Sequence, residues 1–342
     1  MPEQNEPQFS QHMSKAEEEI KLPTYIRRKQ VREQLEKIGK LDTTLFSQGK
    51  FEKLVLRYKA LREELAELNQ MFELIDDNLK RAEKIMGTDF IGPDQIAQVL
   101  DLSPSSIEVP FIPFSGIELE RAKELGHFLI LRVDNFTIQD LHRGLIKKLQ
   151  DENRLFDTGV DDPEWFEDED FYTDEKPRSG WALVSKELIP DSTEKDYFQQ
   201  IESIVFYLKN KVFADMILPV GISYWKVAIK EYLDAKDGIK SLMFSNKRKA
   251  LEKLASLKIN NLTRQNAAEA FYDLNIYFYF TNEMLLPQDN DGLYMPNSCV
   301  TSTNIGGNFI TVEDFDVYGC SIGYIPFNRS NKNRGVIFSR RM

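Results

Sequence analysis

Three histidines, two cysteines and one dense acidic run are the residues of this chain whose types could support chemistry. His12 lies close to the start, while His127 and His142 sit near helical segments, and none approaches Cys299 or Cys320 in sequence. Nucleophilic catalysis needs nucleophile, base and orienting group within hydrogen-bond reach, yet no Ser-His-Asp or Cys-His arrangement and no nucleophile elbow is marked. The expectation is therefore a protein that is not an enzyme and carries no cofactor.

The run Glu167, Asp168, Glu169, Asp170 could attract a hard cation, but an EF-hand loop needs alternating ligands, a central Gly and a terminal Glu, and that spacing is absent. It reads as a solvated acidic loop, and no metal site is expected. The motifs at Gly306-Gly307 and Gly319 lack the following Lys-Ser/Thr and helix of a phosphate loop, so they read as turns. Gln95 to Ile107 looks like a helix-turn-helix. Its second helix would start at Ser105 and be stopped by Pro110 and Pro113, and no Arg or Lys lies between Lys84 and Arg121 to meet phosphate. It reads as a packed helical corner.

The elements that must position any site begin with a heptad. From Leu54 apolar residues step by three and four through Tyr58, Leu61, Leu65, Leu68, Phe72, Ile75, Leu79 and Ala82 to Met86, an a/d pattern with charged outer faces. Val31, Leu35 and Ile38 give a shorter stripe before a polar break, so residues 14–87 are predicted to form a coiled-coil helical hairpin whose seam closes within one chain or with another. Residues 1–13 read as a disordered tail.

Residues 88–286 are predicted to be a central, mostly helical α+β body: a helix from Ser115 to Gly126, a strand over Phe128 to Val133, a helix from Thr137, a strand at Trp181 to Ser185, and helices near 193–212, 223–235 and 237–256. Thr263 could cap a further helix running into Tyr277 to Phe280. Within this body, residues 151–175 hold twelve acidic residues against Arg154 alone, and interleaved Trp165, Phe166, Phe171 and Tyr172 suggest a loop pinned to the body.

From about Pro287 the composition turns to Asn, Gly and Ser, and short β-like pieces (308–312, 320–325 and 336–339) alternate with turn residues, so 287–342 reads as a small β-rich binding region. Its candidate ligand-binding residues are Tyr294, Asn297, Asn304, Asn308, Asp316, Tyr318, Tyr324, Asn328, Asn331 and Asn333. Tyr brings contact area at low entropy cost and Asn brings adaptable hydrogen bonds, as in antibody loops; Asn and Gly that merely end strands would give the same composition. Cys299 and Cys320 are either unpaired or a single bridge.

With 55 acidic and 44 basic residues, a net charge of -11 repels nucleic acid. No signal peptide and no roughly 20-residue apolar span is evident, so a cytoplasmic protein that meets neither membrane nor nucleic acid is expected.

The C-terminal run carries a resemblance. Small polar residues after Tyr294 (Ser298, Thr301, Ser302), then GNFITVEDFDVYGCSIGYIPF and NRSNKNRGVIFSRR, resemble the ending of the variable proteins of diversity-generating retroelements, with Gly335, Val336, Phe338 and Arg340 matching the last strand. The Trp usual near the start of the variable stretch is absent, and Tyr294 or Cys299 stands near that position. The resemblance covers about 50 of the 342 residues, and implies a C-type-lectin-type C-terminal domain whose diversified surface binds a protein or other ligand. The remaining residues resemble uncharacterised bacterial proteins with the same chain order. The alternatives are a coiled-coil structural or assembly protein that self-associates, and a DNA-binding regulator acting through 95–107.

Overall fold

A computed structural model describes residues 24–40, 48–156, 164–214, 222–286, 298–330 and 332–341. The chain is mixed α and β and divides into two units, residues 1–80 and 81–342.

In the first unit helix α1 (Thr24–Gly39) lies against the N-terminal part of α2 (Gln48–Met86). The Arg28 Nε donates to Asn69 Oδ1 at 2.8 Å, Arg57 Nη2 donates to Gln34 Oε1 at 3.2 Å, and Arg27 pairs with Glu64, so the two helices run antiparallel. Val31 and Leu61 are buried, whereas the heptad residues Leu54, Leu65, Leu68, Ile75 and Leu79 are half-buried and Tyr58 is exposed. The described parts of the two helices thus form an antiparallel pair. The side chain of Phe72 and the tail 1–13 lie outside the described residues.

The second unit begins with β1 (Phe90–Ile91) and α3 (Pro93–Val99). After α3, Pro104–Ser106 form a single 3-10 turn, and Ile96, Ala97, Val99 and Ile107 are buried. The second helix of a helix-turn-helix is thus missing, because a proline opens the segment and two more follow it.

Next come α4 (Gly116–Glu124), capped by Ser115 with Glu118, and β2 (His127–Arg132). Helix α5 comprises Ile138–Leu141, a π-helical stretch His142–Ile146 and Lys147–Asp151. A short α6 (Asp170–Thr173) precedes β3 (Gly180–Leu188), and α7 (Tyr197–Tyr207) continues as a π-helical stretch Leu208–Val212.

Helix α8 runs unbroken from Ile222–Ser245, through the point near residue 236 where two helices were expected, because an interior Gly such as Gly238 costs only about 1 kcal/mol. The break falls instead at Asn246, whose side chain caps α9 (Lys247–Ala255). Likewise Thr263 is not a cap: it ends α10 (Lys258–Thr263), and Asn266 caps α11 (Ala267–Thr281). Asn266 wins because Glu269 stands three residues on, and the two close a capping box in which each side chain satisfies the other's backbone N–H.

The last strands are β4 (Ser298–Ile305), β5 (Asn308–Asp316), β6 (Gly319–Pro326), β7 (Arg334–Gly335) and β8 (Ile337–Arg340). They belong to two sheets: β6-β5-β4-β7, and β1-β2-β3-β8, in which β8 returns to pair antiparallel with β3. The register of that pair shifts between Val184 and Leu188, and Ser185 Oγ and Ser192 Oγ accept from the N–H of Phe338 and Val336 at 2.8 and 3.0 Å.

The described residues 298–341 fall in the same compact unit as the central body. Val336, Ile337 and Phe338 are all buried, since both faces of the β1-β2-β3-β8 sheet are covered.

This integration makes two expectations. Phe338→Ala in the whole chain should lose about 3–5 kcal/mol in urea unfolding. The fragment 262–342 alone, deprived of β3, should show no cooperative thermal transition, and a sharp one would contradict the shared core.

Candidate binding surface of the C-terminal strands

Two turns shape the outer sheet. Gly306 and Gly307 both have positive φ (54° and 89°) and join β4 to β5 with Ile305 opposite Asn308, as a two-residue hairpin with the strands' own twist requires. At the other end Val317 and Tyr318 join β5 to β6, and Asp316 Oδ1 accepts from the Tyr318 N–H at 2.8 Å. The turn reading of the Gly motifs holds.

These turns lie at opposite ends of β5, whose nine residues span about 26 Å at roughly 3.3 Å per step. The ten candidate residues consequently do not converge. Asn304 and Asn308, both half-buried, and the exposed Asn328 belong to the end where Asn308 pairs with Pro326, while Asp316 and Tyr318 belong to the other. Tyr294, Asn297 and Asn331 lie outside the described residues. Asn333 is not a surface residue: it is 4% exposed, its carbonyl accepts from Ser298 N–H at 2.8 Å, and the entry of β7 into the sheet is what buries it.

Strand β6 is an edge strand of its sheet, with two exposed candidate tyrosines before it and within it. Tyr318, just before it, is 51% exposed and Tyr324 is 52% exposed, with small Gly319, Cys320, Ser321 and Gly323 between. Each tyrosine meets an exposed aromatic that the composition of the C-terminal stretch could not disclose. Phe156 lies 6.3 Å from Tyr318, and Trp165 meets Tyr324 edge-on at 5.3 Å. Both come from the acidic loop, where Phe166, Phe171 and Tyr172 are buried as the aromatic interleaving suggested.

The second unit also holds a buried ionic cluster that sequence reasoning missed. Helix α11 is buried along most of its length, yet carries Glu269 and Asp273. Arg132 from β2 donates through Nε to Asp273 Oδ1 at 3.0 Å and through Nη2 to Ser339 Oγ at 2.8 Å, and lies 3.2 Å from Glu269. Arg178 and Arg341 bind the same Glu269 carboxylate. Burial raises the Glu269 pKa, but the three guanidinium groups outweigh it and hold it at about 2. The same burial works against charge on Arg132, and Asp273 and Glu269 overcome it, so Arg132 stays protonated. For Asp273 burial dominates and its carboxyl is raised. Arg264, also fully buried, stacks 4.0 Å over Tyr197 and donates to Val300 O at 2.8 Å and Gln200 Oε1 at 3.1 Å.

The residues first singled out for chemistry are placed apart. His127 Nε2 lies 3.0 Å from Tyr207 Oη and His142 Nδ1 lies 2.9 Å from Tyr172 Oη; burial lowers their pKa values to about 3 and about 4. Both are neutral at neutral pH. Cys299 and Cys320 are unbridged, and burial pushes the Cys299 thiol up to about 11. Among the described residues no group of three or more His, Cys, Asp or Glu could hold a metal ion, and no helix is long and apolar enough to cross a membrane.

Comparison with known proteins found no matching family model, no matching curated protein and no matching solved structure.

Glu175 gives the cluster a pH dependence. Burial, with neighbouring Glu269, raises its pKa to about 7 against the hydrogen bonds of Thr303 Oγ1 at 2.7 and 2.8 Å. In the unfolded chain it ionises near 4.5. The folded state therefore binds the extra proton between those values, and stability falls as pH rises from about 4.5 to about 7. Glu175→Gln should raise stability by on the order of 1 kcal/mol at pH 8 and by little at pH 4.5. Equal shifts at both pH values would show that Glu175 is not held protonated.

Proposed function

We propose that this chain is a binding protein that uses the outer face of its C-terminal sheet, centred on Tyr318 and Tyr324, to hold a protein or other ligand, without catalysing a reaction. The observation that carries the reading is the placement of two half-exposed tyrosines at either end of a small-residue outer strand, each braced by a second aromatic. Tyrosine ordered in this way gives contact area with little rotamer entropy left to lose. The small residues between them leave room for a ligand.

The resemblance to variable proteins of diversity-generating retroelements, and the C-type-lectin-type fold it implies, agree with the division of labour in this region. Val336 and Phe338, which match the family's last strand, lie in the core, and the tyrosines lie outside. In this reading the diversified positions are Asn304, Asn308, Tyr318, Tyr324 and Asn328, and Asn333 is scaffold.

Sequencing the gene's 3′ end in sibling isolates tests the proposal. Substitutions should gather at those codons with Val336 and Phe338 fixed, beside a template repeat and a reverse-transcriptase gene; changes spread evenly along the chain would sink it. Tyr318→Ser and Tyr324→Ser should each cost no more than the loss of one aromatic pair, about 0.5–1.5 kcal/mol in thermal unfolding.

A second reading rests on α2. Its heptad residues Leu54, Leu65, Leu68 and Ile75 are half-buried although α1 lies alongside, which leaves apolar surface for self-association through the hairpin as a coiled coil. If a second copy covers this stripe, light scattering of the whole chain should give a multiple of 39.8 kDa that Leu68→Asp reduces to 39.8 kDa. A monomeric mass for the unmodified chain would remove this reading.

A further inference from the structure

We propose that the corner between α8 and α9, with the exposed Phe244 at its tip and the basic residues that open α9, docks on the surface of an anionic lipid bilayer. This patch is separate from Tyr318 and Tyr324 and does not rest on their role.

The chain has a net charge of -11, yet residues 238–258 hold six basic residues against Glu252 alone. Lys247, Arg248, Lys249 and Lys253 are all exposed on α9. The fold does not call for them there. Helix α9 is held by its other face, where Ala250, Leu251 and Leu254 are buried. The first turn of a helix is the positive end of its dipole, so the three cations that open α9 act against the helix they start. Of the four, only Arg248 has an ion-pair partner among the described residues, Glu252 at 3.0 Å, and that exposed pair adds little.

Tertiary structure enlarges the patch. Lys247 Nζ lies 5.5 Å over the Phe327 ring and 3.3 Å from where a Cβ on Gly307 would stand. The turn after Phe327 brings the exposed Arg329 and Lys332, and residues 327–334 contain no acid. On α8 the exposed Asp237 and Asp234 precede Phe244 by two to three turns, about 10 and 15 Å back along the helix. That is a Debye length or more at about 0.1 M salt, so the corner presents a local positive field although the whole chain is negative.

Phe244 decides which anionic partner fits. Its side chain is 95% exposed, the highest value among the exposed large apolar side chains described, so it projects from the corner and lines no cleft that could grip a peptide. Duplex nucleic acid would meet the cations and leave the ring in water. A bilayer takes both, with anionic headgroups for the cations and the acyl boundary beneath them for the ring. Lysine outnumbers arginine in the patch, which suits point charges set against a fluid headgroup layer rather than bidentate recognition of one fixed group.

Co-sedimentation of the full chain with lipid vesicles tests this. In about 0.1 M salt the chain should be carried down by phosphatidylcholine vesicles containing about 30% phosphatidylserine and not by pure phosphatidylcholine, and about 0.5 M salt should release it. Each basic side chain at such a surface is worth about fivefold, so Lys247→Gln, Arg248→Gln and Lys249→Gln together should weaken binding about 100-fold. Phe244→Ser should weaken it about tenfold, through loss of the ring's transfer out of water. Lys226→Gln with Lys230→Gln, exposed charges on the first half of α8, should leave binding unchanged. All these side chains are exposed, so the urea midpoint of each variant should stay close to that of the unmodified chain.

Failure to sediment with the anionic vesicles, equal sedimentation with the neutral ones, or indifference to the triple variant or to Phe244→Ser would overturn the proposal. Tighter retention on duplex DNA or on a poly-glutamate peptide than on the vesicles would assign the patch to another class of partner and overturn it as well.

Discussion

The Glu269 carboxylate is the point on which the second unit of this protein is assembled. It closes the capping box that starts α11, and it accepts guanidinium groups from Arg132 on β2, Arg178 just before β3 and Arg341 just after β8. Four segments distant in sequence thus meet at one charge. A buried ion pair adds little net stability over an apolar core of the same shape, but stripping one partner leaves an uncompensated charge and costs about 3–5 kcal/mol. The cluster therefore constrains how the segments fit together more than how firmly they hold.

That constraint explains why the C-terminal strands are not a free-standing domain. Strand β8 is held by β3 on one edge, by an isolated bridge between Arg264 and Phe338 on the other, and by Arg340 and Arg341 reaching to Glu118 and Glu269. Its side chains have no route to solvent on either face. The outer sheet is different. It packs against α11 through β4, β5 and β6, while Tyr318 just before β6 and Tyr324 within it remain half-exposed. Variation of exposed side chains on β6 need not disturb the ionic cluster, because stability effects of distant, unshared sites are nearly independent.

Arg178 and Arg341 have a dual position. They are structural, in holding Glu269, and they also line a cavity of about 740 Å³ with Phe111 and Trp181. Anchoring the two guanidinium groups to a buried carboxylate fixes their orientation.

The sequence by itself determined what depends on local spacing. The heptad from Leu54 made the long helix, Ser115 and Thr137 announced two helix starts by their capping chemistry, the Gly306-Gly307 pair made a hairpin, and a Pro-rich segment after Val99 precluded a recognition helix. Each of these is fixed by backbone or hydrogen-bond requirements within a few residues. Tertiary structure alone decided that β8 pairs with β3, that Ile337 and Asn333 are buried, and that Arg132, Arg178 and Arg341 share a carboxylate 72 to 137 residues away. It also set Phe156 and Trp165 beside the two tyrosines. These placements depend on both faces of a sheet being covered by elements far away in the chain, and alternation within one strand cannot report what lies on its second face.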